Sequence, residues 1–144
     1  MPDQTFGPVR SSAVAAARVG GMQVRIARQT GQLEAVVAFY RDGLGLPEIG
    51  RFTDHDGYDG VMLDLPGTSA HLEFTATTHV DPPRPHVEGL LVLYLGDRQT
   101  VDQLLARSGA DPVPSANPYW DHAGVTITDP DGFRIVLVAN NWPS

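Results

Sequence analysis

The stretch Leu33–Leu46, LEAVVAFYRDGLGL, decides the fold. Leu33, Val36, Val37, Tyr40 and Leu44 recur at helical spacing, so one stripe of this segment is apolar and must be buried. Thr30 is read as the N-cap, its hydroxyl accepting an otherwise unpaired amide of the first turn. Gly43 is read as the stop, in a left-handed conformation, and Pro47 then starts an extended segment. Upstream, Met22–Ala27 alternates as a strand. Met22, Val24 and Ile26 should lie under the helix, with Gln23 and Arg25 on the opposite face.

Further strands follow the helix. Pro47–Phe52 is followed by a turn rich in Asp and Gly at Thr53–Gly57. Strands at Tyr58–Leu65 and Ala70–Thr75 flank the Pro66-Gly67 turn. In the last of them, Leu72 and Phe74 belong under the helix, and His71, Glu73 and Thr75 share the Arg25 face. A short, stiff segment over 78–87 holds Pro82, Pro83 and Pro85. The order then repeats more weakly. There is an apolar strand at Leu90–Leu95, and a helix at Arg98–Ser108 with Asp97 as cap and Gly109 as stop. Strands at Ala123–Thr128 and Phe133–Val138 flank the turn Asp129-Pro130-Asp131-Gly132. Residues 111–118 read as irregular. The expected class is α+β, with two tandem βαβββ units in one domain over 21–144. The first unit covers about 21–77, the second about 88–140, and residues 1–20 form an N-terminal extension.

Composition removes several functions. The 144 residues carry 17 Asp and Glu against 10 cationic side chains, a net charge of −7, which leaves no basic surface for nucleic acid. There is no cysteine, hence no disulfide or thiolate metal site. No apolar run is long enough for a bilayer. Arg18 interrupts the one candidate signal-peptide core, Ala13–Ala17, so the expected location is the cytoplasm. No nucleophile elbow, phosphate loop or dinucleotide fingerprint is present. The Asp-rich run DHDGYDG lacks the closing Glu of an EF-hand.

FYRDGLGLPEIG after a strand, HLEF at the end of the first half, and DPDGFRIVLV near the C-terminus carry a resemblance. Over 22–140 the chain resembles the vicinal-oxygen-chelate superfamily, which includes glyoxalase I, extradiol dioxygenases, and fosfomycin- and bleomycin-resistance proteins. The resemblance implies paired βαβββ modules around an open cleft, commonly in a dimer. It also implies a divalent metal at four positions, which fall here on Gln23, Glu73, Leu90 (Leu91 in the other register) and Val136. Only Glu73 matches the usual ligands; Leu and Val cannot bind a metal, and Gln does so poorly.

Two functional readings result. The first is a metal-independent homodimer that binds a small organic ligand, as in drug sequestration. The second is a lyase or dioxygenase with a divalent metal at Glu73 and substitute ligands such as His71 and His122. Strand alternation nominates Arg25, His71, Glu73 and Thr75 for a polar wall of the cleft. Leu90, Val92, Tyr94, Arg134, Val136 and Val138 form the facing, mostly apolar wall. Tyr58 and Trp120 close its mouth, among the aromatic group of Phe52, His55 and Tyr119. Glu73 has a second role open to it, as the partner of Arg25.

Overall fold

A computed structural model describes residues 21–142. Expectations for residues 1–20 lie outside the described residues. The first half holds β1 (Val24–Gln29), a helix α1 (Leu33–Ala38) that widens into a π-turn at Phe39–Gly43, β2 (Glu48–His55), β3 (Tyr58–Asp64) and β4 (Ala70–Ala76). The second holds β5 (Leu90–Tyr94), α2 (Arg98–Ser108), a short α3 (Tyr119–Ala123), β6 (Gly124–Thr128) and β7 (Arg134–Val138).

The first sheet has the order β1-β4-β3-β2, and the second β5-β7-β6. In each, the opening strand pairs in parallel with the closing one, and the remaining pairs are antiparallel. The second sheet thus repeats the first with one strand fewer. At the vacant position a lone bridge, Val113 to Thr126, marks where the fourth strand would lie. Prolines at 112, 114 and 118 remove the amides that a fourth strand would need.

Both sheets bury one face on the same core. Val36, Val37, Tyr40 and Leu44 of the first helix meet Leu63, Leu72 and Phe74 of the first sheet, and Ile127, Ile135 and Leu137 of the second. Alternation places the other faces away from this core. We call the two sides inner and outer.

Several local readings are corrected. β1 starts at Val24 instead of Met22, because its parallel register with β4 runs from Val24–Ala70 to Gln29–Thr75. Its apolar side chains have the inner-face parity, since Ile26 pairs with Leu72, but they are not covered. Met22 is 58% exposed, Val24 39% and Ile26 49%, because β1 is the sheet edge beyond the helix. Thr30 is not the helix cap. The cap position falls on Gln32, and Thr30 Oγ1 accepts from Gln32 N while donating to Asp131. The left-handed residue is Gly45, at φ +76°, instead of Gly43. Gly43 has a different reason to lack a side chain: an added Cβ would lie 3.3 Å from Ser108 Cα, where the π-turn crosses α2. β2 runs on to His55, through Asp54 with its positive φ. By contrast, α2 begins and ends as the sequence indicates. Asp97 accepts from Thr100 N at 2.7 Å, and Gly109 is left-handed at φ +66°. Among the described residues, the unforeseen α-helix is α3.

Candidate functional site

The outer face of the first sheet carries the polar group. The register sets Arg25 beside His71, and Glu73 two residues further along β4 on the same face. Arg25 Nε donates to His71 Nε2 at 2.9 Å, and Arg25 NH1 lies 3.4 Å from Glu73 Oε2. The Glu73 side chain is 12% exposed, so its carboxylate is held mostly out of water against the guanidinium. Thr75 follows on the same face, and Asp64 pairs with His71 across β3. Arg25, His71, Glu73 and Thr75 are therefore brought together.

The other nominated residues are placed elsewhere. Tyr58 packs edge-on against His79, with centroids 5.7 Å apart, and Trp120 packs edge-on against Tyr119 at 5.0 Å. Phe52 is buried. Its ring occupies the space over Gly60, its cross-strand partner. Tyr94 and Arg134 share the outer face of the second sheet with Leu90 and Val92, as alternation requires. Tyr94 meets Trp142, 69% exposed, at 6.0 Å. Arg134 NH1 donates to Pro114 O at 2.8 Å. Val136 and Val138 also face outward, yet both are buried. The segment 113–126 lies against this side, with Ser115 Oγ bonded to Thr126 Oγ1.

Sequence reasoning missed a second polar cluster. Arg28 lies on the inner side of β1, beside Phe74, where an arginine needs a carboxylate brought from elsewhere. That parity was the available signal. The carboxylates come from the turn of residues 129–132. Arg28 NH2 donates to Asp129 at 2.7 Å, and Thr30 Oγ1 and Gln32 Nε2 donate to Asp131 at 2.6 and 2.7 Å. The Tyr40 hydroxyl donates to Asp129 at 2.7 Å, and the Arg28 guanidinium stacks 3.8 Å from the Phe133 ring centre. Burial, then the charge of Asp129, pushes the Tyr40 phenol far above its ordinary value. This cluster ties the second half of the chain onto the first.

A family assignment follows from comparison with known proteins. The YycE-like N-terminal domain profile matches residues 24–75, and the YycE-like C-terminal domain profile matches residues 88–139. The chain belongs to the YycE-like family. YycE of Bacillus subtilis is 48% identical over 120 residues, which cover 81% of this chain and 86% of that one. The crystal structure of the Bacillus subtilis YycE protein, whose function is itself unknown, superposes with a TM-score of 0.79 at 45% identity, over 85% of this chain and 92% of that one. At fold level, the Leishmania major glyoxalase I has a TM-score of 0.62 at 18% identity, covering 83% of this chain and 86% of that one. TnmS3, an antibiotic-binding protein from Streptomyces, has a TM-score of 0.61 at 19%, covering 83% and 96%. This YycE-like chain therefore has the vicinal-oxygen-chelate fold.

The metal that this superfamily often carries can be tested against the residues present. Leu90 and Val136 have no donor atom, and Gln23 precedes β1. One Glu73 oxygen, Oε2, faces the Arg25 guanidinium at 3.4 Å, a cation already beside the carboxylate. His122, on α3, is exposed, and no three His, Asp or Glu side chains converge among the described residues. This donor set does not fit a tightly held transition metal.

Proposed function

We propose that this YycE-like protein binds a small amphipathic organic ligand without a metal, as a cytoplasmic homodimer. The reading rests on the Arg25–His71–Glu73 group, in which a guanidinium takes the place that a cation would need. Arg25, His71, Glu73 and Thr75 set a guanidinium, an imidazole, a carboxylate and a hydroxyl on one face, enough to orient a polar head. Tyr58, Tyr94 and Trp120, which lie apart from this group, are the candidate contacts for the remainder of a larger ligand. The single functional unit spans both modules, which follow one another as 21–77 and 88–140. The antibiotic-binding TnmS3 shows that this fold can hold a drug-like molecule, although fold alone does not fix function. A metal-dependent lyase or dioxygenase route would require a third ligand beside Glu73 and His71, and none converges on them among the described residues.

Two measurements test the reading together. Elemental analysis of the purified protein should find no stoichiometric zinc, nickel or iron, and chelator should leave the melting temperature unchanged. A thermal-shift screen of drug-like compounds should return a hit that Glu73→Gln weakens about tenfold or more. The partly exposed Arg25–Glu73 pair should cost about 1–2 kcal/mol of stability when broken. A bound metal beside Glu73 would overturn the proposal. So would unchanged affinity in a Glu73→Gln protein of sharply lowered melting point.

A further inference from the structure

A cavity of about 250 Å³ opens between the two halves of the molecule, away from the Arg25 group. Its walls are Ile26, Leu72 and Phe74 of the first sheet, and Leu90, Leu91 and Phe133 of the second half. Three polar side chains reach it: Arg28, Tyr40 and Arg134. Two of these are already committed. The Arg28 guanidinium faces Asp129 and Asp131, neither of which lines the cavity, and the Tyr40 hydroxyl is given to Asp129. Arg134 is different. It is half-buried, makes one hydrogen bond, to the Pro114 carbonyl, and has no carboxylate partner among the described residues. In a chain of net charge −7, a half-buried arginine with donors to spare at the edge of an apolar cavity is an anion anchor.

We propose that this cavity is a second binding site, for a small aromatic monocarboxylate whose ring enters between Phe74, Leu90 and Phe133 and whose carboxylate pairs with Arg134. The size supports one ring and little more, since a dry apolar cavity of roughly 150 Å³ takes up benzene. A carboxylate matches the planar guanidinium fork through two parallel hydrogen bonds. The site lies at the seam, so its occupant touches both halves at once. It does not depend on the proposed ligand of the Arg25 group, and the two are tested by different variants.

The experiment is a titration of the full-length protein with benzoate, followed by amide and methyl NMR shifts, with benzamide as the uncharged control. Benzoate should shift Leu90, Leu91 and Phe133 in a saturable manner at millimolar concentration or below, and benzamide should bind about tenfold or more weakly. Arg134→Gln should lose a similar factor. Leu90→Trp, which fills the cavity and leaves Arg134 in place, should abolish the shifts, while Glu73→Gln should bind benzoate unchanged. Absence of saturable shifts in the unaltered protein would overturn the proposal. So would equal affinity for benzoate and benzamide, or shifts that survive Leu90→Trp in a folded protein. Shifts confined to Arg25, His71 and Glu73 would assign the anion to the first site and remove the second.

Discussion

Tyr40 carries more than its share of the apolar stripe on which it was first noticed. Its ring stacks on Phe74 at 4.8 Å, and its hydroxyl completes the shell of Asp129, whose side chain is fully buried. Tyr40→Phe keeps the ring and removes one donor from a buried carboxylate, which should cost about 1–3 kcal/mol in denaturant melts. The pH consequence has a definite sign. Burial chiefly, then Asp129, raises the folded-state phenol above the unfolded value of about 10. The folded state therefore keeps its proton where the unfolded chain gives it up, and stability declines once pH rises past about 10. Alkaline titration should show one of the four tyrosines forming phenolate only as the far-ultraviolet dichroism is lost. Native-state ionisation of all four would contradict this. Asp129→Ala should be more severe, about 3–5 kcal/mol, because it removes the nearer of the two carboxylate partners of Arg28, leaving Asp131 at 3.4 Å, and takes the acceptor from the Tyr40 hydroxyl.

The elements differ in how plainly the sequence announces them, and the reason is locality. α2 is set by Asp97, its apolar stripe and Gly109, all within its own length, and it appears with the bounds expected. The inner and outer parity of β4 and β7 likewise follows from alternation alone. The first helix was harder to read. Its ending depends on Ser108 pressing on Gly43 and on Leu44 N reaching back to Phe39 O, a five-residue span that periodicity does not reveal. Thr30 has the residue type of a cap, but its partner, Asp131, lies 101 residues away, where no local pattern reaches. In the candidate site, the Arg25–His71–Glu73 group was legible because it lies on paired strands; Trp142 was not, because it comes after the last strand. The position of the left-handed residue yields a direct check. Gly45→Ala should lower stability by about 1–2 kcal/mol, since φ +76° there costs any side chain, whereas Gly109→Asn at α2 should be better tolerated.

At the scale of the whole molecule, the edge of β1, which pairs with no strand among the described residues, needs an explanation. Met22, Val24 and Ile26 form an exposed apolar strip along an edge strand, an arrangement that invites another surface. Light scattering at micromolar concentration should give twice the mass of 15.5 kDa, with a total buried area of roughly 1,600 Å² or more. A monomer would leave the edge to be covered in another way. The single core shared by both sheets has a separate consequence, which concerns ancestry and cutting. Two repeated halves point to a doubled gene, and a doubled gene implies halves that once stood alone. Yet each helix is walled on one side by its own sheet and reaches toward its neighbour, and the turn of residues 129–132 is stitched to Arg28, Thr30 and Gln32. The repeats have become mutual templates. A chain severed among Pro82, Pro83 and Pro85 should give two fragments that are unstructured apart and regain native dichroism only when mixed.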